Sequence, residues 1–433
     1  MTEPTPATPG TTGAAAEPAG ARVLFTTWAA PSHLYPMVPL AWAFQAAGHQ
    51  VRVAVPPGCV RAVADAGLTP VPVGPDPDIA GHATSGGLAA WHTQGRWPDD
   101  WAARADELSE AQQGILRALG EKQLRIAGAM ADDLLGFARA WRPDLVVQDA
   151  GTYAGTLAAA DLGVPAVAHL WGSPAVMRLN RAGLDGPHLD GYRALFERYG
   201  LDPAEPGLWV DPCPPSLTLP SPVTRVPARF VPYNGPGGAP ESLLPPSGKP
   251  RTCLTWGVTA DRLKPGGPAL PPPLLAAAHE LAAGGTEVLL AVTEAQRERL
   301  GAQPDGVRAV SGVPLRLLLP ECAAVVHQGG GGTTMTATEA GVPQLILSPR
   351  PEQMLTGARF AAAGAARHRP LNEVAGMPDA AGPGALLAAD VRALLDDPAH
   401  RAAAGRLRAE ARALPTPAEV AGRLLAEARA TTA

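Results

Sequence analysis

The sequence predicts an α/β protein with doubly wound parallel sheets in two domains. Two stretches, Val23–Val55 and Ala323–Leu347, each contain two apolar runs of strand length joined by a helix-forming run, which is the pattern of a βαβ unit. Strands joined by so short a helix are expected to lie parallel, in a right-handed crossover. The chain has 433 residues and 46% hydrophobic content, which is enough for two separate cores.

Composition argues against several classes of protein. The formal charge is −5 and no basic run stands out, which disfavours nucleic acid or an anionic membrane surface as a partner. No apolar run reaches membrane-spanning length, and residues 1–20 lack the basic start and apolar centre of a signal peptide, so we expect a disordered tail there. The cysteines have neither metal nor redox spacing and indicate free thiols in a reducing, cytoplasmic setting: Cys59, Cys213, Cys253 and Cys322.

The amino-terminal βαβ unit carries a histidine at a ligand-binding edge, where it is either a functional residue or, as is more common for a loop histidine before Tyr-Pro, a structural hydrogen-bonding residue. His33 lies in the loop that follows the first strand, and the carboxyl ends of strands form the edge at which open α/β sheets bind ligands. The predicted elements are a strand at Val23–Thr27, a loop at Trp28–Pro36, an amphipathic helix at Val38–Ala47 and a strand at Val51–Val55.

The rest of the first half alternates between loops, helices and short apolar runs. The stretch Pro70–Asp100 is rich in Pro, Gly, Trp and His, which is typical of a variable surface loop over a cleft. Within it, Asp76-Pro-Asp78 has a metal-like spacing but is better explained as a turn among prolines, so we predict no metal site. The remaining elements are a helix-forming stretch at Trp101–Trp141, a strand at Leu145–Val147 that ends in Gln148 and Asp149, a strand at Ala166–Trp171 and a helix at Asp190–Tyr199.

The domain boundary is predicted from composition, because Pro236–Pro250 resembles a linker. We therefore expect an amino-terminal domain over residues 21–235, a linker over 236–250 and a carboxy-terminal domain over 251–433. The elements predicted for the second domain, outside its βαβ unit, are strands at Thr252–Trp256, Glu287–Val292 and Val307–Val310 and helices at Pro272–Ala283, Gly357–Ala363, Ala385–Leu395 and Pro417–Ala430.

The second βαβ unit carries the clearest functional signal. A strand at Ala323–Val326 is followed by a glycine loop, a helix at Thr333–Ala340 that Gly341 ends, and a strand at Gln344–Leu347. Glycines let backbone N–H groups approach an anion, and the helix start adds unpaired N–H donors, hydroxyls and the positive end of the helix dipole. This pattern predicts a diphosphate site formed by His327, Gly329, Gly330, Gly331, Gly332, Thr333 and Thr334.

The strand after this helix leads to a carboxylate beside an amide, Glu352 and Gln353. Together such groups accept from and donate to adjacent hydroxyls, which suits a polyol. A P-loop is excluded, since it needs a lysine and none follows Lys264. A dinucleotide fingerprint needs a third glycine where Thr334 stands, but Glu352 has the spacing of a ribose-binding acid, so a nicotinamide-dependent oxidoreductase is kept as an alternative.

Two stretches resemble one known family. The motif HQGGGGTTMTATEAGVPQLILSPRPEQ and the amino-terminal run TTWAAPSHLYPMVPLAWAFQAAGHQVRVA are similar to GT-B-fold glycosyltransferases of family 1, in their actinobacterial antibiotic-tailoring branch. The resemblance spans nearly the whole chain from Arg22. It implies two facing, Rossmann-like, doubly wound domains with the active site in the cleft between them, and a last helix that crosses back to the first domain.

The resemblance implies an inverting, metal-independent glycosyltransferase that needs no cofactor besides its donor. The carboxy-terminal domain would hold a nucleoside-diphosphate sugar, thymidine-linked, and the amino-terminal domain a hydrophobic acceptor such as an aromatic polyketide or a macrolide. His33 would be the catalytic base, and Asp149 would either orient it, as in a catalytic triad, or cap the next helix. The family also implies contacts from Gly257 and Thr259 to the diphosphate and from the backbone of Val313 to the pyrimidine.

The chain departs from the family at the sugar-binding motif. Arg350 and Pro351 stand where the family has an aromatic residue and its neighbour, and Glu352 replaces an aspartate. If these changes disable sugar recognition, the chain would be a catalytically silent nucleotide-sugar-binding helper; a nucleotide-sugar epimerase on the same fold is a further alternative. The resemblance leaves open whether a helper protein similar to a cytochrome P450 is required, and whether the chain is a monomer or a homodimer.

Overall fold

The computed structural model describes residues 20–28, 30–78, 81, 88–91, 97–238, 248–257, 266–377 and 382–432. In this part of the chain the strands form two all-parallel sheets. The strands of the first sheet are β1 (Arg22–Thr26), β2 (Gln50–Val55), β3 (Pro70–Pro72), β4 (Leu145–Asp149), β5 (Ala166–His169), β6 (Leu208–Asp211) and β7 (Arg225–Pro227). Those of the second sheet are β8 (Arg251–Thr255), β9 (Glu287–Val292), β10 (Val307–Ser311), β11 (Ala324–His327), β12 (Gln344–Ser348) and β13 (Ala366–Pro370).

The order of the strands confirms the predicted doubly wound class. It is β3-β2-β1-β4-β5-β6-β7 in the first sheet and β10-β9-β8-β11-β12-β13 in the second. Each sheet therefore winds outward from a central strand, returns, and winds outward in the other direction. The reversal falls between β1 and β4 in one sheet and between β8 and β11 in the other. Ligands of doubly wound sheets bind at this switch point, outside the carboxyl ends of the strands, so the topology provides one such place in each domain.

Helices cover both faces of each sheet, which explains why central strands such as β4 and β12 are buried at every residue. Within the described residues the helices of the amino-terminal half are α1 (Pro31–Leu34), α2 (Val38–Ala46), α3 (Val60–Asp65), α4 (Leu88–Trp91), α5 (Glu110–Trp141), α6 (Ala154–Leu162) and α7 (Asp190–Glu197). Those of the carboxy-terminal half are α8 (Pro272–Ala283), α9 (Glu294–Leu300), α10 (Leu315–Leu318), α11 (Gly331–Ala340), α12 (Pro351–Ala362), α13 (Leu371–Ala375), α14 (Gly382–Asp396), α15 (Pro398–Arg412) and α16 (Pro417–Thr432).

Three predicted elements differ from the structure near the sites of interest. His33 lies in α1 and not in a loop, because Pro31 in the first turn already has the backbone angle of a helix. The helix α11 starts at Gly331, two residues before the prediction, so two of the four glycines form its first turn. Glu352 also lies in a first turn, that of α12, and not at the end of β12.

The last helix packs on the first domain. Its residues Val420, Leu424 and Leu425 are buried in the same cluster as Phe25 and Val53 of the first sheet. The chain thus returns to the amino-terminal core, and the two domains share more than the connection between β7 and β8. Of the linker predicted there, residues 239–247 lie outside the described part of the chain. None of the described helices combines the length and the apolarity that a membrane span requires.

The two domains also contact each other where the segment around Trp101 packs against α12. The indole N–H of Trp101 donates to the carbonyl of Pro351 over 3.3 Å, and Arg359 of α12 pairs with Asp100 at 3.0 Å. Leu355 of α12 is buried in the same cluster as Trp101. The start of α12, which carries Glu352, is therefore held against the amino-terminal domain.

Candidate active site

A histidine and an aspartate meet at the switch point of the first sheet. His33 in α1 follows β1, Asp149 ends β4, and β1 and β4 are neighbouring parallel strands. The Nδ1 atom of His33 lies 2.8 Å from Oδ1 of Asp149. Because this carboxylate is 1% exposed and accepts at that distance, it holds a proton on Nδ1 and leaves Nε2 as the nitrogen with a free lone pair.

Asp149 orients His33 but does not cap the next helix, because the N-cap of α6 is Tyr153 and has no side-chain hydrogen bond. The second oxygen of Asp149, Oδ2, accepts hydrogen bonds of 3.1 Å from the backbone N–H of Gly151 and from the hydroxyl of Thr152. One carboxylate oxygen therefore organises the turn before α6, and the other orients the imidazole of His33. The backbone turn holds the Asp149 carboxylate in place, and the carboxylate holds the imidazole of His33 in place.

Two indole rings flank His33. The ring centres of Trp28 and Trp171 each lie 4.9 Å from that of His33, in edge-to-face arrangements. The His33 side chain keeps 23% of its exposure, so one edge of the ring faces the cleft. An apolar frame around a partly open imidazole suits proton transfer from a bound hydroxyl to the ring, since it limits competing water.

The glycine loop lies at the switch point of the second sheet. Gly329 has φ +87°, and a Cβ there would come within 3.0 Å of the Ile346 side chain, so the tight turn after β11 requires glycine. Gly330 precedes α11 in an extended conformation, with no side-chain cap on the helix. The unpaired N–H groups of Gly331, Gly332 and Thr333 at the helix start are thus available to an anion.

This loop approaches the amino-terminal domain closely. A Cβ on Gly331 would lie 2.5 Å from the carbonyl oxygen of Trp171, the residue whose ring flanks His33. Only glycine permits this approach. The helix start that suits a diphosphate and the His33–Asp149 pair therefore face one cleft from opposite domains.

His327 is not placed to donate to a phosphate, contrary to the expectation from the sequence. Its side chain is fully buried, Nδ1 accepts from the N–H of Gly329 over 3.0 Å, and Nε2 lies 2.8 Å from the amide oxygen of Gln344. Both ring nitrogens are therefore used inside the domain, where the histidine shapes the glycine loop. Burial lowers the pKa of His327 to about 4, so the ring is neutral at neutral pH.

The two threonines of the predicted site also have different surroundings. The hydroxyl of Thr334 is buried and donates to the carbonyl of Gly330 over 3.0 Å, which leaves it turned away from the cleft. Thr333 is half-buried, and its hydroxyl has no partner among the described residues. Of the two, Thr333 retains the geometry expected of a phosphate contact.

Three side-chain oxygen atoms near the loop are buried without a hydrogen-bond partner among the described residues. The atoms concerned are Oε2 of Glu352, Oε1 of Gln353 and Oε1 of Gln328, none of which has a hydrogen-bond partner within the described residues. Burial raises the pKa of Glu352 above the ordinary glutamate value, while Arg350 and His33 oppose this in part. Buried polar atoms without partners are costly in a folded protein, so this group indicates the place of a hydroxyl-rich ligand.

Of the remaining predicted contacts, Gly257 lies next to Gln328. Gly257 follows β8, and the side-chain amide of Gln328 lies 2.8 Å from where its Cβ would be. Val313 follows β10 at the edge of the same sheet and is partly buried. Thr259 lies outside the described residues. No group of three or more His, Cys, Asp or Glu that could hold a metal occurs in the described ranges.

Sequence reasoning missed several members of the site. Gln328 stands inside the quoted motif, between the histidine and the glycines, but its identity carries no signal by itself. Trp28 and Trp171 were visible only as residues after strands. The tryptophans described in the Pro70–Asp100 stretch and its flank pack on one another, with the Trp97 and Trp101 rings 4.9 Å apart. Residues 79–80, 82–87 and 92–96 of that stretch lie outside the described part.

A pH dependence of stability follows from the buried histidine. The pKa of His327 is about 4 in the folded protein, below the ordinary 6.5, so the unfolded chain binds the proton more readily. The free energy of unfolding should therefore fall as the pH decreases from about 6.5 towards about 4. In His327→Gln, whose amide can replace both hydrogen bonds, this fall should be smaller. Urea unfolding at pH 7 and pH 5 measures it, and an equal fall in both proteins would contradict the assignment.

Known proteins match this chain over nearly its full length. Family models described as Erythromycin biosynthesis protein CIII-like, N-terminal domain and C-terminal domain, match residues 42–257 and 274–427. Tylactone mycaminosyltransferase of Streptomyces fradiae is 37% identical over 425 residues, which is 92% of this chain and 90% of that protein. Aklavinone 7-beta-L-rhodosaminyltransferase of Streptomyces galilaeus is 38% identical over 431 residues, 92% of this chain and 94% of that protein.

A solved structure shows the same architecture. The crystal structure of the glycosyltransferase VinC in complex with dTDP superposes with a TM-score of 0.76 at 34% identity, over 94% of this chain and all of that one. Two doubly wound domains with facing switch-point sites, together with these relatives, define a glycosyltransferase of the GT-B fold. The chain belongs to the Erythromycin biosynthesis protein CIII-like family.

The comparisons confirm the resemblance to antibiotic-tailoring glycosyltransferases. They do not favour the epimerase or the silent helper, since the relatives are named as transferases. The substitutions at Arg350 and Pro351 therefore occur within a family of transferases.

Proposed function

We propose that the chain transfers a deoxysugar from a dTDP-sugar to a hydrophobic polyketide-type acceptor, with inversion at the anomeric carbon. The observation that carries this proposal is the His33–Asp149 pair, 2.8 Å apart, facing the start of α11 across the cleft. The family relationship supports the choice of substrates, because relatives are named for tylactone and aklavinone and VinC was solved with dTDP.

The geometry suggests how the reaction proceeds. Nε2 of His33 takes the proton of the acceptor hydroxyl as its oxygen attacks the anomeric carbon, and Asp149 stabilises the imidazolium that forms. The bond from that carbon to the diphosphate breaks on the opposite face. The developing charge on the diphosphate is met by the N–H groups at the start of α11 and by the hydroxyl of Thr333. This scheme assigns no step to a metal or to another cofactor.

Product analysis tests this function. The purified chain would be mixed with dTDP- and UDP-linked sugars and a set of aromatic and macrolide aglycones, and products would be followed by mass. The anomeric configuration of the product, read by NMR coupling, should be opposite to that of the donor. Retention, or an epimerised nucleotide-sugar without transfer, would contradict the proposal. Adding a P450-like helper protein to the same assay decides whether one is required.

Glu352 provides a prediction for sugar recognition. If its unpartnered oxygen binds a sugar hydroxyl, Glu352→Ala should weaken binding of the dTDP-sugar by about 10- to 150-fold, because a hydrogen bond to a charged group is lost. Affinity for free dTDP should stay near the wild-type value. Calorimetry with both ligands measures this, and Glu373→Ala, an exposed glutamate of the same domain, is the control. Equal losses for the two ligands would place Glu352 at the nucleotide.

A further inference from the structure

A cation that the proposed reaction does not use lies against Trp28, one of the two indole rings that flank His33. The ammonium of Lys122, on α5, is 4.5 Å from the centre of the Trp28 ring, and that ring is 4.9 Å from the ring of His33. Lys122 is half-buried, and no described residue forms a hydrogen bond or an ion pair with it. The indole face offers only a cation–π contact, which is weaker than an ion pair with hydrogen bonds.

The surroundings of Lys122 destabilise its charged form. Burial, and then the positive charges of Arg350 and Arg125, lower the pKa of Lys122 to about 8. The carboxylate beside His33, that of Asp149, is already occupied on both oxygens. Glu352 forms no ion pair with Lys122 within the described part of the chain. An ammonium in such surroundings is stabilised by an opposite charge that is brought from outside.

Two neutral polar atoms without partners among the described residues lie near Lys122. Nε1 of Trp28 and Oε1 of Gln123 are buried, and neither has a hydrogen-bond partner among the described residues. Gln123 follows Lys122 on α5, and its amide nitrogen lies 3.1 Å from where a Cβ on Gly151 would be, beside Asp149. A cation, an N–H donor and a carbonyl acceptor therefore lie near the Trp28 ring, each without a hydrogen-bond partner among the described residues.

We propose that Lys122 determines acceptor choice by pairing with an acidic oxygen of the acceptor, either a carboxylate or an ionised phenol. Lys122 belongs to the amino-terminal domain, on the same side of the cleft as the base His33, and the inference rests on the proposed function. It narrows the acceptor from any hydrophobic aglycone to one that carries an acid group. Lys122 binds and orients this group and takes no part in the bond changes.

A matched pair of probes tests this inference. A dihydroxyanthraquinone carboxylic acid and its methyl ester share one ring system and differ in charge. With dTDP present, the wild-type protein should bind the acid about 10- to 150-fold more tightly than the ester, as expected when a hydrogen bond between charged groups is lost. Lys122→Met keeps the aliphatic stem against Trp28 and removes the ammonium. It should weaken binding of the acid alone, and Lys122→Arg should keep most of the preference.

Arg117→Met is the matched control, because Arg117 is an exposed cation on the same helix and is not among the charges that lower the pKa of Lys122, so it should leave the preference unchanged. Equal binding of acid and ester to the wild-type protein, or equal weakening of both by Lys122→Met, overturns the inference. The inference is also overturned if the preference for an acid is seen only between donors, so that a dTDP-linked uronic acid is preferred and an acidic acceptor is not. Lys122 would then bind the donor sugar. Thermal melting and dTDP affinity verify the fold of each variant. Failure of the proposed function would instead appear as absent dTDP binding or absent sugar transfer.

Discussion

His33→Ala is expected to lower turnover by about 10²–10⁴-fold, the usual contribution of a positioned general base. The structure supplies the reason. Nδ1 of His33 is bonded to Asp149, so Nε2 is the nitrogen that can take a proton, and the ring retains an exposed edge in the cleft. Affinity for dTDP should change little, because the start of α11 belongs to the other domain.

The measurement is turnover at saturating donor with an aliphatic alcohol acceptor, which does not ionise by itself. Ser32→Ala changes an exposed neighbour in the same short helix and should retain most of the activity. Near-normal turnover of His33→Ala, or a loss explained entirely by a lower melting temperature, would make His33 a structural residue. Another group would then have to serve as the base.

Asp149→Asn is expected to reduce turnover by up to about 10⁴-fold, as replacement of the carboxylate does in a catalytic triad. An amide can donate to Nδ1 of His33, which would place the proton of the imidazole on Nε2 and remove the base. The same amide can still accept from Gly151 and Thr152, so the turn before α6 should be preserved. Stability should therefore change much less than activity.

A second variant separates the two roles of Asp149. Thr152→Val removes a hydrogen bond of the turn and leaves the contact with His33, so it should cost about 1 kcal/mol of stability and little turnover. The double variant His33→Ala with Asp149→Asn should be no slower than His33→Ala alone, since the two residues act as a unit. Additive losses, or full activity in Asp149→Asn, would show that the carboxylate acts only in the turn before α6.

The elements that could be predicted are those with a strong local signal. The helix Pro272–Ala283 and the strand Glu287–Val292 have the predicted bounds, because an apolar period and flanking turn residues mark both. The edge strands β3, β7 and β13 were missed, since they contain proline or charged residues. An edge strand has a neighbour on one side only, so its sequence carries a weaker apolar signal.

The candidate site also has parts that could be predicted from the sequence and parts that could not. The glycine loop and the histidine after the first strand were predicted, because each depends on backbone freedom or on position at a strand end. The surroundings of His327 were not predicted. Whether an imidazole faces the cleft or the domain interior depends on Gln344, which β12 places beside it. The same holds for Lys122, which pairs with no carboxylate among the described residues and lies against Trp28 of another segment.

By itself, the sequence determined the class of fold, the glycine loop ahead of a helix and the family, because all three are encoded in short runs of neighbouring residues. Only the tertiary structure decided which of these groups meet. His33 and Asp149 are 116 positions apart and become partners because β1 pairs with β4. Gly331 and Trp171 meet because the two domains close on one another. Burial and hydrogen bonding are properties of such long-range contacts, and they set which side chains remain available to a ligand.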